Sequence, residues 1–188
     1  MLRTRRTSLL LVLMAFGLTP ILFAGGSEQD PWSTNGKKFC GHDDAMDRFL
    51  RGESRARPNL SGTETYISST HFRVWYTTTG YDSTTYAYAD SVSHYAEFCW
   101  TRDSNLGWAS PPPDGTNGGD SKYDIYIRNT DTLDYSGVCC EESPYTTPYP
   151  DGYTSWVEVE RDCATYLRLT ALVAHEFHHA NQKRYSQF

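Results

Sequence analysis

Apolar and polar positions along the chain follow two rhythms, one of period two and one of three to four residues. The stretch Thr65 to Thr78 is rich in β-branched and aromatic residues. Within it Phe72, Val74 and Tyr76 alternate with Arg73, Trp75 and Thr77, which predicts a strand ending at Gly80. The rhythm then changes. Tyr88, Val92, Tyr95, Ala96 and Cys99 recur by three- and four-residue steps, predicting a helix that Asp82 or Ser83 caps and that runs to about Arg102. Period two returns at Tyr123 to Arg128, and a third strand is expected at Tyr135 to Cys140. Tyr153 to Glu160 sets Tyr153, Ser155, Val157 and Val159 against Thr154, Trp156, Glu158 and Glu160, and the two glutamates predict one wet face. The last element is a helix over Leu167 to Arg184, approached through the mostly apolar run Tyr166 to Ala174. Loops at Ser110 to Asp120 and Pro144 to Gly152 follow from Pro, Gly, Asp and Asn content, and no internal repeat is present.

Upstream of residue 63 the pattern fades. Residues 25–62 are polar with little period, apart from a short helix expected at Asp43 to Arg51 with Met46, Phe49 and Leu50 on one face. This segment reads as a propeptide or leader, and the folded unit is expected over residues 63–188. Residues 1–24 have the form of a signal peptide: Arg3, Arg5 and Arg6 precede an apolar stretch from Leu9 to Leu18, with cleavage expected near Ala24. The apolar stretch is short for a bilayer span, so a secreted protein with no membrane attachment after cleavage is expected. Its removal takes the net charge from −6 to −9. An acidic chain without a basic run excludes nucleic acid as an ordinary partner. The 14 Tyr and 5 Trp argue against a disordered tail, and no feature sets an oligomeric state.

Export makes disulfides the expectation for Cys99, Cys139, Cys140 and Cys163. Adjacent Cys139 and Cys140 would strain if bonded to each other, which leaves 99–139 with 140–163, or 99–140 with 139–163.

The densest chemistry lies in the last helix, where His175-Glu176-Phe177-His178-His179 reads as H-E-x-x-H. Residues four apart on a helix share a face, so His175 and His179 can offer two imidazoles to one zinc ion. Glu176, one residue round, is placed to act as general base on a water at that ion. The bland reading, a solvated His-rich helix end, sits badly with the apolar run that precedes it. Two weaker signals stand apart. Asp114, Asn117 and Asp120 lie close enough in sequence to hold calcium, although turn formation explains the same residues and no EF-hand spacing is present. Cys40 could cap zinc with a thiolate before activation, or be a surface disulfide or free thiol.

The runs His71-Phe72-Arg73-Val74-Trp75-Tyr76-Thr77-Thr78-Thr79-Gly80, Tyr88-Ala89-Asp90-Ser91-Val92, Tyr123-Asp124-Ile125-Tyr126-Ile127 and His175-Glu176-Phe177-His178-His179-Ala180-Asn181-Gln182 together resemble secreted bacterial zinc metalloproteases of the zincin type. The resemblance implies an α+β fold, a twisted mixed sheet packed on a backing helix and an H-E-x-x-H helix. It implies a zinc endopeptidase acting on peptide or protein, with His175 and His179 as metal ligands and Glu176 as base. It also suggests that Tyr153 to Glu160 pairs with extended substrate. The metzincin form of the motif fails, because Gln182 and Tyr185 stand where it needs Gly and His. No His, Asp, Glu or Cys follows His179, so the gluzincin-like reading expects a truncated chain whose third ligand and C-terminal subdomain lie beyond Phe188; the alternative is an upstream ligand such as His71, His94 or His178. Two rival functions share the sequence: a non-catalytic secreted module binding protein or carbohydrate through its Tyr- and Trp-rich strands, with an incidental metal site, and a zinc hydrolase of non-peptide substrates.

Overall fold

A computed structural model describes residues 36–53 and 55–186. The signal segment and its cleavage site lie outside the described residues. Six strands and three α-helices follow in the order β1 (Lys38–Cys40), α1 (His42–Leu50), β2 (Thr65–Ser68), β3 (Phe72–Tyr76), α2 (Tyr86–Asn105), β4 (Tyr123–Arg128), β5 (Tyr135–Pro144), β6 (Tyr153–Glu160) and α3 (Tyr166–Gln182), with a 3₁₀ turn at Asn117–Gly119. The strands form one mixed sheet in the order β1-β5-β6-β4-β3-β2. The mixed α and β content agrees with the expectation.

The sheet is built around three parallel strands, β3, β4 and β6. Antiparallel neighbours flank them: β2 on β3, and β5 on β6. The run expected as one strand from Thr65 to Thr78 is a hairpin, in which Thr65 faces Tyr76 and Ser68 faces Arg73. Its turn is closed by the Ser69 N–H donating to the Phe72 carbonyl. The α2 helix starts two or three residues later than expected from Asp82 or Ser83. Thr85 is its cap, accepting from the Tyr88 N–H, while Asp82 is buried and accepts the N–H groups of Ser61 and Asn129 instead.

Period two in the strands sends alternate residues to opposite faces. One face meets α2 and α3: Phe72, Val74, Ile125, Ile127, Cys139, Val157 and Val159 close against Val92, Ala96, Leu172 and Phe177. The other face carries Tyr126, Tyr135, Val138, Cys140 and Trp156, with Ala45 of α1 packed on it. Glu158 and Glu160 are not on a wet face. Glu158 is fully buried between Arg55 and Arg128, and Glu160 is paired with Lys37. The reason is the segment expected as a leader: its Lys37, Ala45, Arg55 and Arg57 lie over this face. Arg57 continues the cover, bonding Asp114, Asp124 and Glu142 together.

The same alternation overturns the disulfide expectation. All five cysteines are free thiols in the structure. Cys140 lies on the face under α1, whereas Cys99 and Cys163 pack on the helical face with Cys139. Both expected pairings join Cys140 to Cys99 or Cys163, and the sheet stands between them.

Candidate metal centre

Thr165 starts α3 by accepting the Arg168 N–H, and Leu169, Leu172, Val173, Phe177 and Ala180 turn into the core. That burial fixes the roll of the helix. His175 and His179 are then carried to the side where β1 and β5 pass, with Glu176 between them and fully buried. The two Nε2 atoms lie 3.1 Å apart. His179 Nδ1 is 2.9 Å from Gln182 Oε1. An amide oxygen only accepts, so this contact puts the proton on Nδ1 and leaves the Nε2 lone pair toward His175. Gln182 thus orients the imidazole from the position where a metzincin has glycine.

The third member is Cys40. Strand β1 runs parallel to β5, with Cys40 opposite Gly137 and the Gly41 N–H donating to the Gly137 carbonyl at 2.8 Å. Its Sγ lies 3.6 Å from His179 Nε2 and accepts the His42 N–H at 3.3 Å. Two glycines allow this approach. A Cβ at Gly137 would stand 2.8 Å from Leu172 and 3.0 Å from Glu176, and one at Gly41 would stand 2.5 Å from the Tyr135 ring. The imidazoles are hemmed by rings: His42 stacks on His179 at 4.2 Å, and Phe39 meets His175 edge-on at 5.5 Å.

Among the described residues, Cys40, His175 and His179 form a group that could hold a metal ion, their ligand atoms all within 4.8 Å of one another. The two separations made by His179 Nε2 suit a tetrahedral ion. With metal–nitrogen bonds near 2.05 Å and a metal–sulfur bond near 2.3 Å, tetrahedral angles require about 3.3 Å between nitrogens and about 3.6 Å from nitrogen to sulfur. The observed separations are 3.1 and 3.6 Å.

Burial dominates the electrostatics. It pushes the Glu176 carboxyl up to about 8, against the opposing pull of the Cys40 thiol and the Cys139 backbone. Neither oxygen of Glu176 has a protein hydrogen-bond partner of good geometry. Burial, then the neighbouring His42 and His175, lowers His179 to about 3, so it is a neutral imidazole over the whole physiological range. Burial and Glu176 push the Cys40 thiol up.

The other candidates lie elsewhere. His71 pairs with Glu97 and stacks on Trp100, His94 lies on α2 beside Tyr95, and His178 meets Asp103 and Trp108. None of these three joins the pair. In the loop expected to offer calcium ligands, Asp114 is matched to Arg57 and Asp120 to Arg73, while Asn117 begins the 3₁₀ turn. Tyr153 to Glu160 is an internal strand with neighbours on both sides, so it has no edge to offer a substrate. Among the described residues no helix is long and apolar enough to cross a membrane. Comparison with known proteins returns nothing: no family model, no curated sequence and no solved structure matches the chain.

Proposed function

We propose that this chain carries the metal site of a secreted zinc endopeptidase with a zincin-like arrangement of sheet and active-site helix. The observation that supports this best is the fully buried carboxyl of Glu176 beside two imidazoles whose Nε2 atoms converge. A carboxyl kept dry is a cost to the fold, and such costs concentrate at chemical sites. The donor set of two imidazoles and a thiol is the kind zinc prefers over magnesium or calcium.

His175 and His179 would hold the ion, with Gln182 fixing the ring of His179. Zinc supplies Lewis acidity toward a peptide carbonyl and lowers the pKa of a water toward about 7. Glu176 would take a proton from the attacking water and pass it to the leaving amine. With β6 internal, the edge beside α3 that could pair with an extended peptide is the part of β5 beyond Gly137, since β1 covers β5 only from Tyr135 to Gly137.

Metal analysis of protein purified without chelators tests this directly. One zinc per chain is expected, lost in His179→Ala and kept in Glu176→Gln, while Glu176→Gln abolishes peptide turnover in any form of the protein that shows it. A wild-type chain that stays free of zinc after equilibration with it would sink the reading.

A further inference from the structure

A second concavity shares no residue with the metal-binding group. Its volume is about 410 Å³, within the range of small-molecule sites. Three parts of the chain meet there: the β2–β3 turn at Thr70 and His71, the proline loop from Ser110, and the residues just past α3 at Arg184.

Its walls are flat and stiff. His71 stacks on Trp100, with ring centroids 4.1 Å apart and planes 12° from parallel. Glu97 clamps that imidazole: one carboxylate oxygen accepts the His71 backbone N–H at 2.7 Å, and the other lies 2.7 Å from Nδ1. Trp100 is backed in turn by Phe72 and Phe177. Pro111 and Pro112 are buried in the lining, and their fixed φ means that this wall loses little freedom when a ligand binds.

Two cations line the same cleft without a carboxylate. Elsewhere Arg55, Arg57, Arg73 and Arg128 are each matched to an acid. Among the described residues the Arg184 guanidinium has no such partner. It leans on the Tyr145 ring at 5.0 Å, and its Nε is buried without a hydrogen bond. Lys122 Nζ donates to Ser68 Oγ at 2.7 Å and to the Ser69 carbonyl, neutral acceptors that leave one donor and the charge unmatched. Asp114, the acid in the lining, is committed to Arg57. A buried donor without an acceptor is a standing cost to the fold. A carboxylate would relieve it, because guanidinium and carboxylate meet as two matching forks. The chain has 17 Lys and Arg against 23 Asp and Glu, so two unmatched cations in one aromatic-walled cleft run against its overall balance.

We propose that this cleft binds a small aromatic carboxylate, its ring packed along the His71–Trp100 pair and its charge held by Arg184 with Lys122 in support. The rings supply apolar contact, and the two cations select for the sign of the ligand. The site needs neither a metal ion nor peptidase activity, so it stands or falls apart from the reading above.

The probe is N-acetyl-L-phenylalanine, titrated into the full chain by calorimetry beside its uncharged amide. Saturable binding of the acid is expected, with the amide at least about tenfold weaker. The affinity for the acid should fall as salt is raised. Arg184→Gln should bring the acid down to the level of the amide, and Arg184→Lys, which keeps the charge and loses the fork, should fall between. Trp100→Phe should keep the affinity within about threefold while removing most of the tryptophan quench that the acid causes. A tripeptide ending in phenylalanine with a free carboxylate presents the same chemistry. Its tighter binding would make the ligand a peptide C-terminus, and its exclusion would make it a free acid. No saturable binding of the acid, equal binding of acid and amide, or an affinity that Arg184→Gln leaves unchanged would each overturn the proposal. So would a quench that survives Trp100→Phe, because the ligand then lies elsewhere.

Discussion

The two faces of the sheet are closed by different physics. Toward α2 and α3, the contacts are between apolar side chains such as Phe72, Ile125, Leu172 and Phe177, each at most 1% exposed. On the opposite face Arg55 overlies the rings of Tyr135 and Trp156, and the buried acids Glu158 and Asp124 depend on Arg55, Arg57 and Arg128. Apolar burial is indifferent to pH and salt and costs little to form without precise geometry. Buried ion pairs add little when complete and cost much when half is removed. The helical face therefore supplies most of the stability. The other face attaches the segment that reaches the metal-binding group, and its strength depends on protonation.

This contrast can be broken by substitution. The largest loss is expected from Phe177→Ala, which removes a ring touching Phe72, Trp100 and Tyr123 and should cost about 3–5 kcal/mol in denaturant titration. That cost should be the same at pH 5 and pH 8. Arg57→Ala comes next, at roughly 2–4 kcal/mol near pH 8, because it strips Asp124 and Asp114 of their cation. Its cost should shrink with acidification. Burial raises Asp124 from 3.8 to about 6 even beside Arg57. A carboxyl raised in the folded state favours folding fully below 3.8, and that contribution is lost as pH rises through about 6. Without the guanidinium the raised value climbs further, so the variant suffers most at high pH. An equal cost at both pH values would mean that Arg57 acts by packing alone. The smallest effect is expected at Lys38→Ala, which removes an exposed pair with Asp44 and should leave the unfolding midpoint unchanged.

How much of this could be read in the sequence differs between the same two regions. The helical face was legible, because α3, β4 and β6 each run long enough to show a period. The H-E-x-x-H pair was legible too, since its two imidazoles are one turn apart on a single element. The other face was not. Nothing local tells that Glu158, in an alternating strand, is covered by an arginine from far upstream, so a buried acid reads as a wet one. Strand β1 is three residues long and shows no period, and its pairing with β5 is a long-range fact. The short helix at α1 was expected, and Cys40 was singled out as a thiol able to cap zinc. Its meeting with His179 required the fold. Thr85 lost to Asp82 as the expected cap because both residues suit the role, and only the partners of Asp82 decide between them.

His175 is exposed to solvent, while Glu176, the next residue, has no exposed surface at all. One step along a helix backbone thus spans the whole distance from bulk liquid to dry interior. An ion held by this pair of imidazoles would therefore have water at one residue and dry protein at the next.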